Sequence, residues 1–225
     1  MGRSYYMLVA SLPHLPHFLE AERLPLNPQR FRHRRNMLAP EDDADLERAL
    51  ELLQWRRHPL TRSDREIDDQ FRLAMKHTRN AALRDFIAYL MAERSVMAGL
   101  RRKVRGMGLP AAGDYCGVGD WNRIIRGRWE REDFGLGHLF PWIAAARQFL
   151  AAGDIMGLEK LLQNEAWKRL SRIGEAKPFG FEAVFAYGFK WQILARRLSF
   201  SAEKSAEAFT KMVQEVISAQ QPEQA

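Results

Sequence analysis

A segment near the C-terminal end of the chain, residues 179–197, is apolar on nearly every side of the helix that its periodicity predicts. One half of that helix carries no charge, and apolar residues interrupt the charged half. A helix of this kind is normally enclosed by other helices, and its charges need partners because a buried unpaired charge is costly. We therefore interpret the segment as an interior helix and place Tyr187, Lys190 and Trp191 in the structural core.

Helix signals recur along the rest of the chain. Pro40 followed by acidic residues, a capping box at Ser63 and Glu66, and an N-cap at Asp154 each mark the start of a helix. A separate last helix is predicted to start at Ser201. We find no strand-rich region and no alternation of strands with helices. The predicted fold class is all-α, a two-lobed helical bundle around a glycine-rich loop.

Composition shifts along the chain predict its organisation. Prolines, Pro28 among them, are expected to keep the N-terminal segment extended. The predicted segments are an irregular N-terminal segment with a short strand or helical turn (1–39), an N-terminal helical lobe (40–108), a glycine-rich linker (109–120), a C-terminal helical lobe (121–218) and a disordered tail (219–225).

The composition favours a cytoplasmic protein. The mean hydropathy is −0.40, and the sequence has no apolar run long enough to span a bilayer. The N-terminus lacks the layout of a signal peptide. A single cysteine, Cys116, cannot form an internal disulfide, which fits a reducing compartment.

The positive charge belongs to the N-terminal half. The net charge is +7; residues 1–110 hold 20 basic and 14 acidic side chains, and residues 111–225 hold 15 and 14. Such surfaces attract nucleic acid, anionic lipid headgroups or acidic proteins. We interpret a second basic cluster, which precedes Gly106, as a solvated helix end. The candidate interface residues are Arg30, Arg32, Arg34 and Arg35; the second cluster is Arg101, Arg102, Lys103 and Arg105.

No reaction centre emerges from the motifs. Pro16 separates His14 from His17, so the helical geometry of a zinc-peptidase pair is absent. The G-x-G fragments lack both the Walker lysine and the dinucleotide spacing, and Cys116 is interpreted as a loop residue. The pair Asp68 and Asp69 is expected to face solvent. We predict no catalytic residue, no cofactor and no metal site.

Nucleic-acid binding is the alternative function. The sequence pI is about 9.8, and arginine outnumbers lysine. Against it, Phe71, Phe86, Trp167 and Trp191 fall on apolar helical stripes, where core packing is the expected use, and no helix-turn-helix pattern is evident.

Two stretches resemble known proteins. The opening Tyr5-Tyr6-Met7-Leu8-Val9-Ala10-Ser11-Leu12-Pro13 resembles the start of a family of short uncharacterised bacterial proteins encoded among the subunits of A/V-type ATPases. Residues 178–197, with Tyr187-x-x-Lys190 followed by Ile193, Arg196 and Arg197, are similar to the last helix of the central-stalk adaptor in those ATPases, the C-subunit (the d-subunit in eukaryotic naming). Residues 150–161 also resemble the lobes of that adaptor.

The resemblance implies a function. The C-subunit is an all-α, cup-like adaptor without catalytic residues that sits on the membrane rotor ring and receives the central stalk. This chain is therefore expected to be a rotor adaptor or an assembly factor of the same complex, peripheral to the inner face of the membrane. The C-subunit is longer and usually has three lobes, and its Lys-Glu-x-Glu stretch is here Lys190-Trp191-Gln192-Ile193.

Overall fold

The fold is all-α in the part of the chain that the structure describes. A computed structural model describes residues 3–53, 63–111 and 117–219; for residue 64 and residues 201–219 it describes the backbone only. The helices are α1 (Tyr6–Ser11), α2 (Pro28–Arg35), α3 (Pro40–Leu53), α4 (Asp64–His77), α5 (Ala81–Val104), α6 (Asp120–Gly127), α7 (Ile143–Ala151), α8 (Ile155–Ala176) and α9 (Phe181–Ala219). The predicted all-α class is thus confirmed.

Local side-chain capping sets several helix starts. Ser63 and Glu66 form the predicted capping box of α4, and the Asp154 carboxylate caps α8 by accepting from the Gly157 N–H. The Asn80 side chain caps α5 in the same way, by accepting from the Leu83 N–H. All three starts follow from short-range hydrogen bonds, which is why the sequence alone predicts those at Ser63 and Asp154.

The N-terminal segment contains more helix than predicted. Its opening residues form the helical turn α1, and an isolated antiparallel bridge joins Ser4 to Gly180. The expectation that Pro28 keeps the chain extended is wrong, because Pro28 is the first residue of α2. Proline suits that position, where no helical N–H bond is lost, and the Asn27 side chain caps the helix by accepting from the Arg30 N–H.

The α8 and α9 helices form a long antiparallel pair. Near the turn between them, Gly174 of α8 lies against Ala186 of α9, and Arg196 forms an ion pair with Glu159 towards the start of α8. The prediction of a separate helix starting at Ser201 is wrong, because α9 is continuous from Phe181 to Ala219. No glycine or proline interrupts the sequence around Ser201, so its cap is not needed and the helix continues.

The charge at the buried start of α9 has partners. Glu182 is buried and accepts hydrogen bonds from Lys177 Nζ (2.7 Å) and Asn80 Nδ2 (3.0 Å). Burial opposes ionisation, but these hydrogen bonds outweigh it and hold the pKa of Glu182 below its usual value. The carboxylate therefore ties α9 to the start of α5.

Two large hydrophobic cores share helix α5. The first core joins α1, α3, α4 and the first half of α5 to the end of α8 and the start of α9. The second core joins the second half of α5 to α6, α7 and Leu158 of α8. Both cores contain residues from each side of the predicted linker, so they do not follow the predicted boundary at 109–120. Residues 112–116 of that linker and 220–225 of the predicted tail lie outside the described residues.

A buried carboxylate ties the helices to the end of the linker. Asp68 is 4 % exposed, pairs with Arg72 and accepts a hydrogen bond from the Gly119 N–H (2.7 Å). The expectation that Asp68 faces solvent is therefore wrong, whereas Asp69 is exposed. The hydroxyl of Ser95 accepts from the neighbouring Val118 N–H, so α4 and α5 both bind the segment that leads into α6.

The Glu93 carboxyl group lies beside the second core, and one of its oxygens has no hydrogen-bonding partner within the described residues. Glu93 Oε2 is buried and accepts no hydrogen bond within the described residues. Burial raises the pKa of Glu93 to about 8; the adjacent Tyr89 hydroxyl opposes this shift and the charge of Glu165 adds to it. The Arg169 guanidinium lies over the Tyr89 ring (4.2 Å to the centroid) rather than on the carboxyl. Glu93 is therefore protonated at neutral pH.

Substitution of Trp191 tests whether other parts of the chain enclose α9. Replacing Trp191 by Ala should lower the free energy of unfolding by about 3–5 kcal/mol, because a buried indole is removed and the Leu26 carbonyl loses its donor. Chemical denaturation measures this loss. Trp191→Phe is the matched control; it keeps a ring against Phe31 and should lose only about 1–2 kcal/mol. A loss below about 1 kcal/mol for Trp191→Ala would contradict the packing.

Glu93 predicts a pH dependence of stability. The unfolded chain releases this proton near the usual pKa of 4.5 and the folded chain near 8, so the free energy of unfolding should fall as pH rises between these values. Glu93 should lower the free energy of unfolding by about 1.4 kcal/mol for each pH unit within that window. Above the window its effect on the free energy of unfolding no longer changes with pH. Glu93→Gln cannot ionise, so denaturation across pH should show the wild type losing stability relative to this variant. Parallel pH curves for the two proteins would refute a neutral Glu93.

Candidate protein-interaction surface

Two segments that are distant in the sequence, residues 5–13 and 178–197, meet in space. The Tyr5 N–H donates to the Phe179 carbonyl oxygen, with 2.6 Å between nitrogen and oxygen. The rings of Tyr6 and Phe179 lie 4.8 Å apart between centroids. Residues 5–13 and 178–197 therefore form one structural unit, although most of the chain separates them in sequence.

This unit presents large apolar side chains to solvent. Leu8 of α1 lies in the first core, but Tyr6 and Met7 on its outer side are 60 % and 77 % exposed, and Phe179 is 45 % exposed. We call Tyr6, Met7 and Phe179 the α1 surface. A helix that is apolar on both sides is normally covered on both, and neighbouring exposed apolar residues commonly mark interaction sites.

Tyr5 fixes the orientation of the α1 surface. Its ring is buried in the first core, and its hydroxyl accepts from the Ala39 N–H (3.2 Å) while donating to the Asp42 carboxylate. Burial raises the pKa of Tyr5, and the hydrogen bond to Asp42 raises it further. The Tyr5 hydroxyl thus remains a donor at neutral pH and attaches α1 to the start of α3.

The candidate interface arginines on α2 divide into two pairs. Arg34 donates from Nε to the Ser11 carbonyl (2.9 Å). Arg35 binds the Asp43 and Glu47 carboxylates of α3 at 2.7 and 2.6 Å. These two arginines hold α2 against α1 and α3.

The other two arginines are available to a partner. Arg30 and Arg32 are exposed, and their guanidinium groups form no hydrogen bond or ion pair with any described residue. Arg30 lies one helical turn before Arg34, which binds the end of α1, so it is on the same side of α2. The cationic part of the interface is therefore limited to Arg30 and Arg32.

The three predicted core residues lie along α9, and two of them, Tyr187 and Trp191, lie against Phe31 of the N-terminal segment. Trp191 is buried, stacks on Phe31 (5.0 Å between centroids) and donates from Nε1 to the Leu26 carbonyl (2.7 Å). Tyr187 is half-buried, and burial raises its pKa to about 12.

Lys190 is also half-buried. Its ammonium lies 5.2 Å from the centroid of the Trp167 ring, and burial lowers its pKa. Its charge is thus accommodated mainly by an aromatic face on α8.

The described residues supply no metal centre and no membrane span. They contain no group of three side chains suited to hold a metal ion. His17 packs against Phe18 and Trp167 and accepts a hydrogen bond from the Leu19 N–H. No described helix is both long and apolar enough to cross a bilayer. Cys116 lies outside the described residues.

The sequence did not reveal the α1 surface as a site. The run from Tyr5 to Leu12 contains one polar residue, Ser11, so no pattern distinguishes its buried side from its exposed side. The apolar pattern includes Phe179 in the interior helix, whereas this residue precedes α9 and lies under Tyr6. One sequence signal could have indicated an exposed apolar surface here: the run is almost entirely apolar, but it is too short to be covered on all sides.

The comparisons with known proteins yield a family but no function. No curated protein and no solved structure matches this chain. The family model described as "Protein of unknown function (DUF2764)" matches residues 47–219, which include every helix from α4 to α9. Because this match covers most of the sequence, the chain belongs to the DUF2764 family.

Proposed function

We propose that this chain is a non-catalytic adaptor of a bacterial A/V-type ATPase, similar in role to the C-subunit, that couples the central stalk to the membrane rotor ring. The proposal starts from the resemblance of residues 5–13 and 178–197 to proteins of that complex. One observation supports it most: the two segments come together in the α1 surface.

The composition of the α1 surface suits a protein partner. Tyr, Phe and Met are enriched in the buried centres of protein interfaces. Tyr6 and Phe179 already contact each other, so little side-chain freedom is lost when a partner covers them. An adaptor needs such preorganised contact surfaces and no reaction centre.

The charges around the unit favour an acidic partner. The Asp43 and Glu47 carboxylates are already bound by Arg35, whereas Arg30 and Arg32 have no described counter-charge. Exposed cations at the rim of an interface chiefly steer association and make it sensitive to salt. We therefore assign recognition of the partner to the α1 surface and steering to Arg30 and Arg32.

A pull-down from native membranes tests the proposal. The tagged full-length chain is incubated with detergent-solubilised membranes, with and without nuclease, and the recovered proteins and nucleic acids are identified. The proposal expects stalk or ring subunits of an A/V-type ATPase in both samples. Nucleic acid without ATPase subunits would reject it in favour of the nucleic-acid alternative, whose affinity falls steeply with salt.

Two variants test whether the α1 surface contacts the ATPase subunits. Met7→Asp places a charge on the α1 surface and should reduce recovery of the ATPase subunits about tenfold or more, as at an interface hot spot. Leu73→Asp is the matched control, because Leu73 is 56 % exposed on α4, a helix that contributes no residue to the α1 surface. Equal recovery by the two variants would contradict the assignment of the α1 surface.

Charge reversal tests the steering role. Arg30→Glu with Arg32→Glu should weaken recovery of the ATPase subunits and make it less sensitive to salt, without changing the unfolding transition. Arg35→Glu, in contrast, should destabilise the fold, because it sets a carboxylate against Asp43 and Glu47. Thermal unfolding and recovery measured at several salt concentrations separate these effects. Unchanged recovery by the Arg30 and Arg32 variant would refute steering from α2.

A further inference from the structure

A second exposed surface lies at the far end of α5, where the chain turns towards α6. After α5 ends at Val104, Gly106 adopts a left-handed conformation (φ 68°) and the chain folds back on the helix. The Arg102 Nε donates to the Gly108 carbonyl (2.8 Å), and the Arg126 Nη1 of α6 donates to the Ala111 carbonyl (2.8 Å). Two arginines thus hold the turn in place from both adjoining helices.

The turn presents aliphatic side chains to solvent. Val104, Met107 and Leu109 are 44 %, 46 % and 49 % exposed. Leu109 also lines an open groove of about 590 Å³ together with Arg123 and Arg126 of α6. Within the described residues up to Ala111, three exposed aliphatic side chains therefore lie within six positions of one another, and neighbouring exposed apolar residues commonly mark interaction sites.

Arginines surround these aliphatic residues. Arg101 of α5 and Arg105, the C-cap residue of that helix, lie four residues apart, are exposed and form no ion pair with a described residue. On α6, Arg123 lies 3.5 Å from the Asp120 carboxylate, but both side chains are more than 80 % exposed, so water screens this pair. We call Val104, Met107, Leu109 and these arginines (Arg101, Arg105, Arg123 and Arg126) the α5–α6 surface.

We propose that the α5–α6 surface binds an anionic membrane surface. Met107 and Leu109 enter the boundary between headgroups and acyl chains, and Arg101, Arg105 and Arg123 lie over the lipid phosphates. An anionic bilayer surface offers both an apolar layer, which suits the aliphatic side chains, and negatively charged headgroups, which attract the arginines. The proposal goes beyond the adaptor function and does not require it, since the binding needs lipid alone.

Nucleic acid fits this surface less well. Proteins that bind single strands stack bases on exposed aromatic rings. Among the described residues, the aromatic side chains on α6 and directly after it pack in the second core, where Trp121 packs on Phe140 and Trp129 on Phe134. The large hydrophobic side chains exposed at the described part of the turn are Val104, Met107 and Leu109, which are aliphatic and offer no stacking face.

Vesicle flotation of the purified full-length chain tests the proposal. We expect binding to vesicles that contain phosphatidylglycerol, little binding to phosphatidylcholine alone, and release as the sodium chloride concentration rises. Replacing Arg101, Arg105 and Arg123 by Gln should weaken binding on the order of 100-fold, because each arginine near an anionic surface contributes a factor of about five. Met107→Asp with Leu109→Asp should abolish it.

Matched controls fix the location. The first control, Leu139→Asp with Ile155→Asp, makes the same kind of exchange at two residues outside the α5–α6 surface, which are 53 % and 62 % exposed. The second control, Arg30→Gln with Arg32→Gln, removes exposed charge from α2. Both controls should bind vesicles like the wild type. Wild-type protein that fails to bind anionic vesicles, or binds a labelled oligonucleotide instead, would overturn the proposal. So would loss of vesicle binding in a control variant. Failure of this test would leave the ATPase pull-down unaffected, since the vesicles contain no protein.

Discussion

The enclosure of α9 is the constraint on which the rest of the structure depends. Its first half is apolar on nearly every side, and α8 covers only one of them. The N-terminal segment covers another: Phe31 stacks on Trp191, whose indole binds the Leu26 carbonyl, and Tyr5 binds the Phe179 carbonyl. Without this cover, a row of aromatic side chains would face water, at a cost of about 1.5–3 kcal/mol for each.

The same cover creates the α1 surface. Because α1 is short and apolar on both sides, burying Leu8 in the first core leaves Tyr6 and Met7 outside, next to Phe179. The Arg34 and Arg35 side chains of α2 bind other parts of the fold and hold the cover in place. The guanidinium groups of Arg30 and Arg32 have no described partner. Side chains that stabilise the fold and side chains that we propose for recognition thus belong to the same segment.

The features that were predictable from sequence are those set by short-range physics. The capping box at Ser63 and the N-cap at Asp154 depend on residues within one turn, and the structure contains both. What sequence could not predict depends on distant partners: Asp68 is buried because the Gly119 N–H lies against it. The continuity of α9 past Ser201 is different: the local sequence without glycine or proline permits it, and the prediction of a new helix start gave too much weight to a single capping residue. The α1 surface, like the burial of Asp68, depends on a distant partner, since it exists only once Tyr6 meets Phe179.

Hydrogen–deuterium exchange of the purified full-length chain tests most directly whether the N-terminal segment is held on α9. Amide protection reports the local free energy of opening. If the cover is integral to the fold, the hydrogen-bonded amides of Tyr5, Val9 and Leu12 should be protected to a similar degree as those within residues 185–195, and Trp191→Ala should reduce protection in both. If these three amides exchange as fast as an unstructured peptide while residues 185–195 stay protected, then α1 is not held in place and the α1 surface does not exist as described.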